Sequence, residues 1–388
     1  MSKKITLRPG KDKAVRQGHP WIFSGAIASG LEVSNGDLAQ VFSASGDLLG
    51  SGYFNTKGSI AGRMLTFDAR DPIEALIENI RNAIWLRSAL IQSDTTGYRL
   101  INGEGDFIPG LIVDKYDQTL VLQVSTKGMA NLRDVVVKTL QEELHPKSIY
   151  EKSVMPSRAD EGLSPSEQWL FGEPTPRVPF IENGLHFIAN VVEGQKTGFF
   201  LDQRDMRGLV RERAKDRRVL NCFCYSGAFS VAAMAGGAKS VTSVDISQNA
   251  VDLAREHVAL NNLDADQHEF IVADVFDYLR KSDMNYDLVI LDPPAFSKKR
   301  HDVVQACRGY KDINRVAMKG MPRRSLLLTS SCSHFVDDLL FQKVVFQAAV
   351  EAGRNVRILD RHHYTVDHPE NVCHPEGHYL KSLLLYVD

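Results

Sequence analysis

From about residue 180 onward, short apolar runs alternate with amphipathic stretches. The runs at 218–223, 240–246, 269–273, 286–291, 325–330, 356–359 and 382–387 predict strands. The stretches 228–235, 249–261 and 338–352 predict helices, and in the last of them Leu340, Val344, Val345 and Ala348 share a face. Strands that alternate with helices build a doubly wound, mostly parallel α/β sheet covered on both faces. Ligands of such sheets lie at the carboxyl ends of the strands.

The first 180 residues have a different texture. Residues 1–70 are rich in glycine and carry short alternating runs at 38–41 and 48–53, which predicts a small β-rich unit with tight turns. Residues 71–92 predict a helix, with Ile73, Ile77, Ile80, Ile84 and Ile91 close to one face. Strands at 110–114, 119–124 and 148–152 and a helix at 131–144 complete a small α+β module. Five prolines between 156 and 179 predict a long loop or linker, and with it a domain boundary. Three domains are therefore expected, at 1–70, 71–179 and 180–388, as suits 388 residues.

Charge and cysteine content narrow the class. No apolar run reaches the ~18 residues of a membrane span, and the opening MSKKITLRPGKDK lacks the apolar core of a signal peptide. A cytoplasmic location is expected. Five sparse cysteines read as thiols rather than as a disulfide framework. A net charge of −2 excludes a protein basic all over, but not a local patch. Lys3, Lys4, Arg8, Lys11, Lys13 and Arg16 stand against Asp12 alone in the first sixteen residues. Such a cluster is equally a solvated terminus or a handle for phosphates, with Lys4, Arg8 and Lys11 as candidate RNA contacts.

The candidate chemistry falls at successive strand ends. The first strand of the second half runs into Asn221-Cys222-Phe223-Cys224-Tyr225-Ser226-Gly227, a turn with one glycine that opens a helix. A dinucleotide pyrophosphate needs the fuller G-x-G-x-x-G cradle. S-adenosylmethionine has no phosphate, and one close backbone approach at Gly227 suffices for it. Asp245, followed by Ile246, ends the second strand, where a carboxylate can accept from both ribose hydroxyls. Asp274 follows the third strand, within reach of an adenine amino group. Either aspartate alone is as readily a helix N-cap; three such positions in register favour a cofactor site. The turn residues Asn221, Phe223, Ser226 and Gly227 are candidate cofactor contacts with them.

The fourth strand ends in Asp292-Pro293-Pro294-Ala295-Phe296, a stiff loop whose aromatic ring offers a stacking face to a flipped base. Lys298, Lys299 and Arg300 follow, a basic run suited to a phosphate backbone. The fifth strand ends in Thr329-Ser330-Ser331-Cys332-Ser333, and its position favours Cys332 as a nucleophile over a small buried thiol. Cys222 and Cys224 read as packing residues. Upstream, the segment 195–204 carries Lys196, Thr197, Gly198, Phe200 and Gln203 and reads as a lid over a small ligand. His362, His363 and His378 with Cys373 lack a C-x-x-C pair and are interrupted by prolines, so no metal is expected.

Taken together, NCFCYSGAFSVAA, SVDIS, DPPAF, CRGYKDIN and SCS resemble the bacterial large-subunit ribosomal RNA cytosine-5 methyltransferases of the RlmI type. GHPWIFSGAI resembles that family's N-terminal PUA domain, and KTGFFLDQR and PEGHYLKS resemble its other signatures. The resemblance spans essentially the whole chain. It implies a PUA-like β-barrel, a middle α+β domain and a Rossmann-like methyltransferase domain with a mostly parallel seven-stranded sheet whose last strand is antiparallel. It implies S-adenosylmethionine as cofactor, held by Asp245 and Asp274, ribosomal RNA as partner, and Cys332 as the nucleophile toward cytosine. It also leaves room for a homodimer. Asp292 would hydrogen-bond the pyrimidine ring, and Pro293, Pro294 and Phe296 would flank the target base. Many RNA cytosine-5 enzymes carry Pro-Cys in the fourth-strand motif; this chain has Pro-Pro-Ala, so the resemblance assigns no proton acceptor. Two other functions remain open: methylation of an exocyclic amine of adenine or guanine, and RNA binding without catalysis on a methyltransferase scaffold.

Overall fold

In a computed structural model that describes residues 3–29, 33–297 and 300–388, the chain divides into two compact units. The second comprises Glu182–Phe187, Gln203–Thr365 and His378–Asp388. Its strands are β1 (Arg218–Cys222), β2 (Ser240–Asp245), β3 (His268–Val272), β4 (Leu288–Leu291), β5 (Ser325–Ser331), β6 (Val356–His362) and β7 (Lys381–Val387). They form one sheet in the order β3-β2-β1-β4-β5-β7-β6. The first five are parallel, and β7 runs antiparallel to both β5 and β6.

Side-chain alternation explains how this sheet is covered twice. Leu220, Val289, Leu291, Leu327 and Leu385 point to one core, against α5 (Val303–Gly320) and α6 (Asp338–Ala352). Val219, Leu288, Ile290, Leu328 and Leu384 point to the other, against α1 (Arg204–Arg213) and α2 (Ala228–Ala235). Helices α3 (Gln248–Leu260) and α4 (Val275–Lys281) follow β2 and β3. The order reverses between β1 and β4, so the loops that leave these strands flank the switch point where open α/β sheets bind ligands.

The first unit comprises Met1–Ile181, Ile188–Asp202 and Val366–Gly377. It holds a six-stranded and a five-stranded sheet. Lys3–Leu7 lies between Leu38–Phe42 and Ile27–Ser29 in the six-stranded sheet, so this basic segment is an inner strand and not a frayed terminus. The five-stranded sheet packs against Pro72–Leu90 and Arg133–Leu144 through a core that includes Leu76, Ile80, Val113, Leu122 and Leu140. The expected isoleucine face is displaced. Of the five isoleucines only Ile80 is fully buried, and the buried stripe is Ala75, Leu76, Ile80, Ala83 and Arg87.

The expected linker is a second correction. Ser166–Gly172 pairs antiparallel with Ser148–Ser153 as an edge strand of the five-stranded sheet, and Arg177–Glu182 is a strand as well. Prolines 165, 174 and 176 stand outside these strands, where no ladder donor is required of them. Among the described residues no helix is long and apolar enough to cross a membrane.

Candidate active site

The turn after β1 is bent by backbone rather than by glycine alone. Phe223, Tyr225 and Gly227 all have positive φ, at 58°, 45° and 70°. At Gly227 a Cβ would lie 2.5 Å from Ala254 Cβ on α3, so only glycine allows this approach. The Asp245 carboxylate closes the turn. Its Oδ2 accepts from Tyr225 N at 2.9 Å and its Oδ1 from Ser247 N at 2.9 Å. A carboxylate has about four acceptor sites, so these two bonds orient the group and leave capacity for a diol. Ile246 beside it is 71% exposed, an apolar face of the kind an adenine covers. Asp274 is exposed and caps α4 by accepting from Asp277 N at 3.0 Å. A single glycine approach, an oriented carboxylate and a bare apolar side chain fit a nucleoside cofactor without a pyrophosphate.

Other expected contacts are differently employed. The Asn221 side chain is buried and donates to Ser230 Oγ at 2.9 Å. Ser226 is buried, and its carbonyl contacts His257 Nδ1 at 2.8 Å. Phe223 is half-buried and meets Phe276 edge-on. Gln203 Nε2 donates to Asp292 Oδ1 at 3.0 Å, joining the start of α1 to the loop after β4. Lys196, Thr197, Gly198 and Phe200 belong to the first unit. There Thr197 is fully buried, donating to Asp114 Oδ2 at 2.7 Å and bonded to Tyr116 Oη at 2.9 Å. Gly198 has φ 125°, and a Cβ would strike Asn190 O at 2.9 Å. The Lys196 ammonium lies 4.6 Å from the Phe200 ring centroid. Thr197, Gly198 and Phe199 are all buried, so this stretch is a packed segment, and the expectation of a lid is corrected.

Cys332 follows β5 directly, half-buried, with Sγ 3.9 Å from the Pro293 carbonyl of the β4 loop. The thiol thus faces the Asp292–Pro294 loop. Phe296 does not offer a bare stacking face. Its ring packs on Tyr310 at 4.7 Å and near Phe276 at 6.0 Å, which corrects the expectation, and Pro294 is the exposed residue of the motif. Lys298 and Lys299 lie outside the described residues, and Arg300 opens a short 3-10 turn. Lys4, Arg8 and Lys11 are exposed on the first unit, and among the described residues none is paired with a carboxylate. Cys222 and Cys224 are buried, and burial raises both thiols well above their ordinary pKa, which keeps them protonated and inert.

Three residues that sequence reasoning missed hold the Cys332 loop. Ser333 Oγ accepts from Ser297 N at 3.2 Å and bonds Tyr310 Oη at 2.9 Å, tying the loops after β4 and β5 to α5. Lys381 on β7 is 2% exposed and donates to the carbonyls of Ser333 at 2.8 Å and Tyr379 at 2.6 Å. Burial lowers its pKa. Its sequence signal was a lysine heading the apolar strand KSLLLYV.

A polar chain inside the domain ties stability to pH. Asn221, Ser230, Ser243 and His268 are linked, the last two at 2.7 Å. Burial, helped by the Arg255 charge, depresses the His268 pKa to about 3. The unfolded chain then binds a proton that the folded one refuses between about pH 6.5 and 3, so this histidine's contribution is intact above about pH 6.5 and lost as pH falls. His268→Gln is expected to shrink the loss of unfolding free energy between pH 7 and pH 5 by about 2 kcal/mol, as read from urea denaturation at both pH values. An identical loss in wild type and variant would sink this assignment.

The chain matches two protein families. Residues 156–369 match the S-adenosylmethionine-dependent methyltransferases, and residues 5–67 match a PUA-like domain. It is 40% identical over 394 residues to ribosomal RNA large subunit methyltransferase I of Alteromonas mediterranea, covering 100% of this chain and 99% of that one. It is 42% identical to the protein of the same name from Pseudoalteromonas atlantica, covering 100% of both. The crystal structure of SMU.776 complexed with SAH superposes with a TM-score of 0.86 at 25% identity over 100% of both chains.

Proposed function

Because the chain belongs to the S-adenosylmethionine-dependent methyltransferases, together with the ribosomal RNA large subunit methyltransferase I proteins, we propose that it methylates carbon 5 of a cytosine in large-subunit ribosomal RNA through a covalent adduct with Cys332. The observation that carries the reading is the placement of the Cys332 thiol against the Asp292–Pro294 loop at the carboxyl edge of the sheet, 3.9 Å from the Pro293 carbonyl. Methylation of an exocyclic amine uses the lone pair of that amine and has no use for a thiol there.

S-adenosylmethionine, when bound, supplies an electrophilic methyl group. The residues suited to hold it are Asp245 for the ribose hydroxyls, Ile246 for the adenine face, Asp274 for the adenine amine, and the Gly227 turn for close backbone approach. Carbon 5 of cytosine is a poor nucleophile. Addition of the Cys332 thiolate to carbon 6 forms the Sγ–C6 bond and pushes the C5=C6 π pair onto the ring, which makes carbon 5 enamine-like. Asp292, oriented by Gln203, hydrogen-bonds the ring and holds it in place for the addition. After methyl transfer a base takes the carbon 5 proton, the C5=C6 bond re-forms, and the Sγ–C6 bond breaks to release the thiolate. Lys4, Arg8 and Lys11 serve as phosphate contacts for the RNA.

The test uses a ribosomal RNA fragment carrying 5-fluorocytosine, incubated with S-adenosylmethionine and resolved on a denaturing gel. Fluorine replaces the proton that must leave, so wild-type protein is expected to remain attached, and Cys332→Ala is not. No retained band, on a fragment whose ordinary form is methylated, would overturn the carbon 5 reading in favour of an exocyclic amine.

A further inference from the structure

Asp338, at the start of α6, receives two imidazoles on its two oxygens. His363 Nε2 lies 3.0 Å from Oδ1, and His378 Nε2 lies 2.9 Å from Oδ2. One ligand atom from each of the three residues falls within 4.8 Å of the others, and the two rings meet edge-on at 4.4 Å between centroids. On the far side of its ring, His378 Nδ1 bonds Tyr364 Oη at 3.3 Å, which turns Nε2 toward the carboxylate. We propose that Asp338, His363 and His378 bind a divalent transition-metal cation of the zinc class.

The geometry is close to what such a cation needs. With metal–nitrogen and metal–oxygen bonds of about 2.0–2.2 Å, two donors of a tetrahedral shell stand roughly 3.3 Å apart. The two contacts to Asp338 fall on its two oxygens and are tenths of an ångström shorter than that, and all three ligand atoms lie within 4.8 Å of one another, so a cation that takes one oxygen and both imidazoles draws them together by side-chain rotation. Two neutral imidazoles and one carboxylate suit zinc, cobalt or nickel and do not suit the oxygen-seeking magnesium or calcium. A ligating histidine is usually oriented by a hydrogen bond at its second nitrogen, and here the Tyr364 hydroxyl makes that contact. All three side chains retain exposure, from 27% to 45%, so solvent supplies the remaining ligand. Cys373 takes no part; it lies in the first unit.

The ligands also sit at a distinctive point of the chain. Residues Val366–Gly377 belong to the first unit, and the chain leaves the second unit after Thr365 and re-enters it at His378. His363 and His378 therefore bracket this excursion, and Tyr364 stacks on Tyr379 beside them at 5.3 Å. A cation at Asp338 fastens the two ends of the excursion to α6.

The full-length protein, stripped with a chelator and dialysed, is titrated with cobalt(II) and then with zinc against a chromophoric chelator. Wild type is expected to bind one equivalent, with a cobalt spectrum lacking a thiolate charge-transfer band, and to gain thermal stability in zinc. His363→Ala, His378→Ala and Asp338→Asn are each expected to bind about 100-fold more weakly and to lose the zinc-dependent rise in Tm. Their Tm in chelator should match wild type, and Cys373→Ser should bind as wild type does. No stoichiometric binding by wild type, a thiolate band, or undiminished binding by His363→Ala and His378→Ala would each overturn the proposal. The wild-type spectrum decides the matter even if a variant fails to fold, and none of these readouts depends on methyl transfer.

Discussion

Cys332→Ala is expected to lower the rate of methyl transfer to ribosomal RNA by at least about a thousandfold, while leaving S-adenosylmethionine affinity close to wild type. The two effects separate because the thiol and the proposed cofactor contacts lie at the ends of different strands. Cys332 follows β5 and faces the β4 loop, whereas Gly227 follows β1, Asp245 ends β2 and Asp274 follows β3. In the proposed mechanism the thiolate is what raises electron density at carbon 5, so its loss leaves only the residual rate of oriented binding. Alanine removes one sulfur from a half-buried position, so the fold should tolerate it. Single-turnover methylation and calorimetric titration of the cofactor measure the two quantities. A rate within tenfold of wild type would remove Cys332 from the chemistry. A parallel collapse of cofactor binding would assign it a structural part instead.

The loop that carries Cys332 shows how much of this was readable beforehand. Strand ends are local features. An apolar run followed by Asp245, by Asp292-Pro293-Pro294 or by Cys332 announces itself within a few residues, and the alternation of strands and helices places all of them on one edge. What holds the loop is not local. Ser333 is tied to Tyr310, twenty-three residues earlier, and Lys381 reaches back forty-eight residues to the Ser333 carbonyl. Lys381 in particular reads as a surface lysine until β7 is known to pair with β5, opposite Ser331. Phe296 and Thr197 failed for the same reason in reverse. Both look available in the sequence, and both are taken up by partners on distant elements, Tyr310 and Asp114.

The prolines between 156 and 179 misled in a different way. Ser166–Gly172 is an edge strand with mostly exposed residues, so it lacks the apolar pattern that marks an inner strand. Proline density then outweighed it, although the prolines lie outside the strand. Helix α5 shows a further limit. The motif at 307–314 carries a family resemblance in the sequence, while its physical content, a buried face of Ala306, Tyr310, Ile313 and Ala317 at helical spacing, shows only in the structure.

The displaced face of Pro72–Leu90 leads to the second large effect, because the stripe ends in a buried charge. Arg87 is 1% exposed, and its guanidinium is held by Asp106 at 2.5 and 2.8 Å, by the Arg99 carbonyl at 3.0 Å and by the Asp367 carbonyl at 2.7 Å. Asp106 in turn accepts from Asn102 N at 2.6 Å. Removing the carboxylate leaves an interior guanidinium without its bidentate partner and bonded to two carbonyls, and arginine cannot shed its proton to relieve this. Asp106→Ala is therefore expected to destabilise the first unit by about 3–5 kcal/mol. For a unit of this size that corresponds to a fall in Tm on the order of 10 °C. The double variant Arg87→Met, Asp106→Leu removes the charge together with its partner and should recover most of the loss, since a buried ion pair is worth little more than apolar groups of similar volume. Urea denaturation of the wild type, the single variant and the double variant separates these cases. A loss below about 1 kcal/mol in Asp106→Ala would mean that water or another carboxylate reaches Arg87. A double variant no better than the single would mean that the carbonyls of Arg99 and Asp367, left without their donor, set the stability of this region.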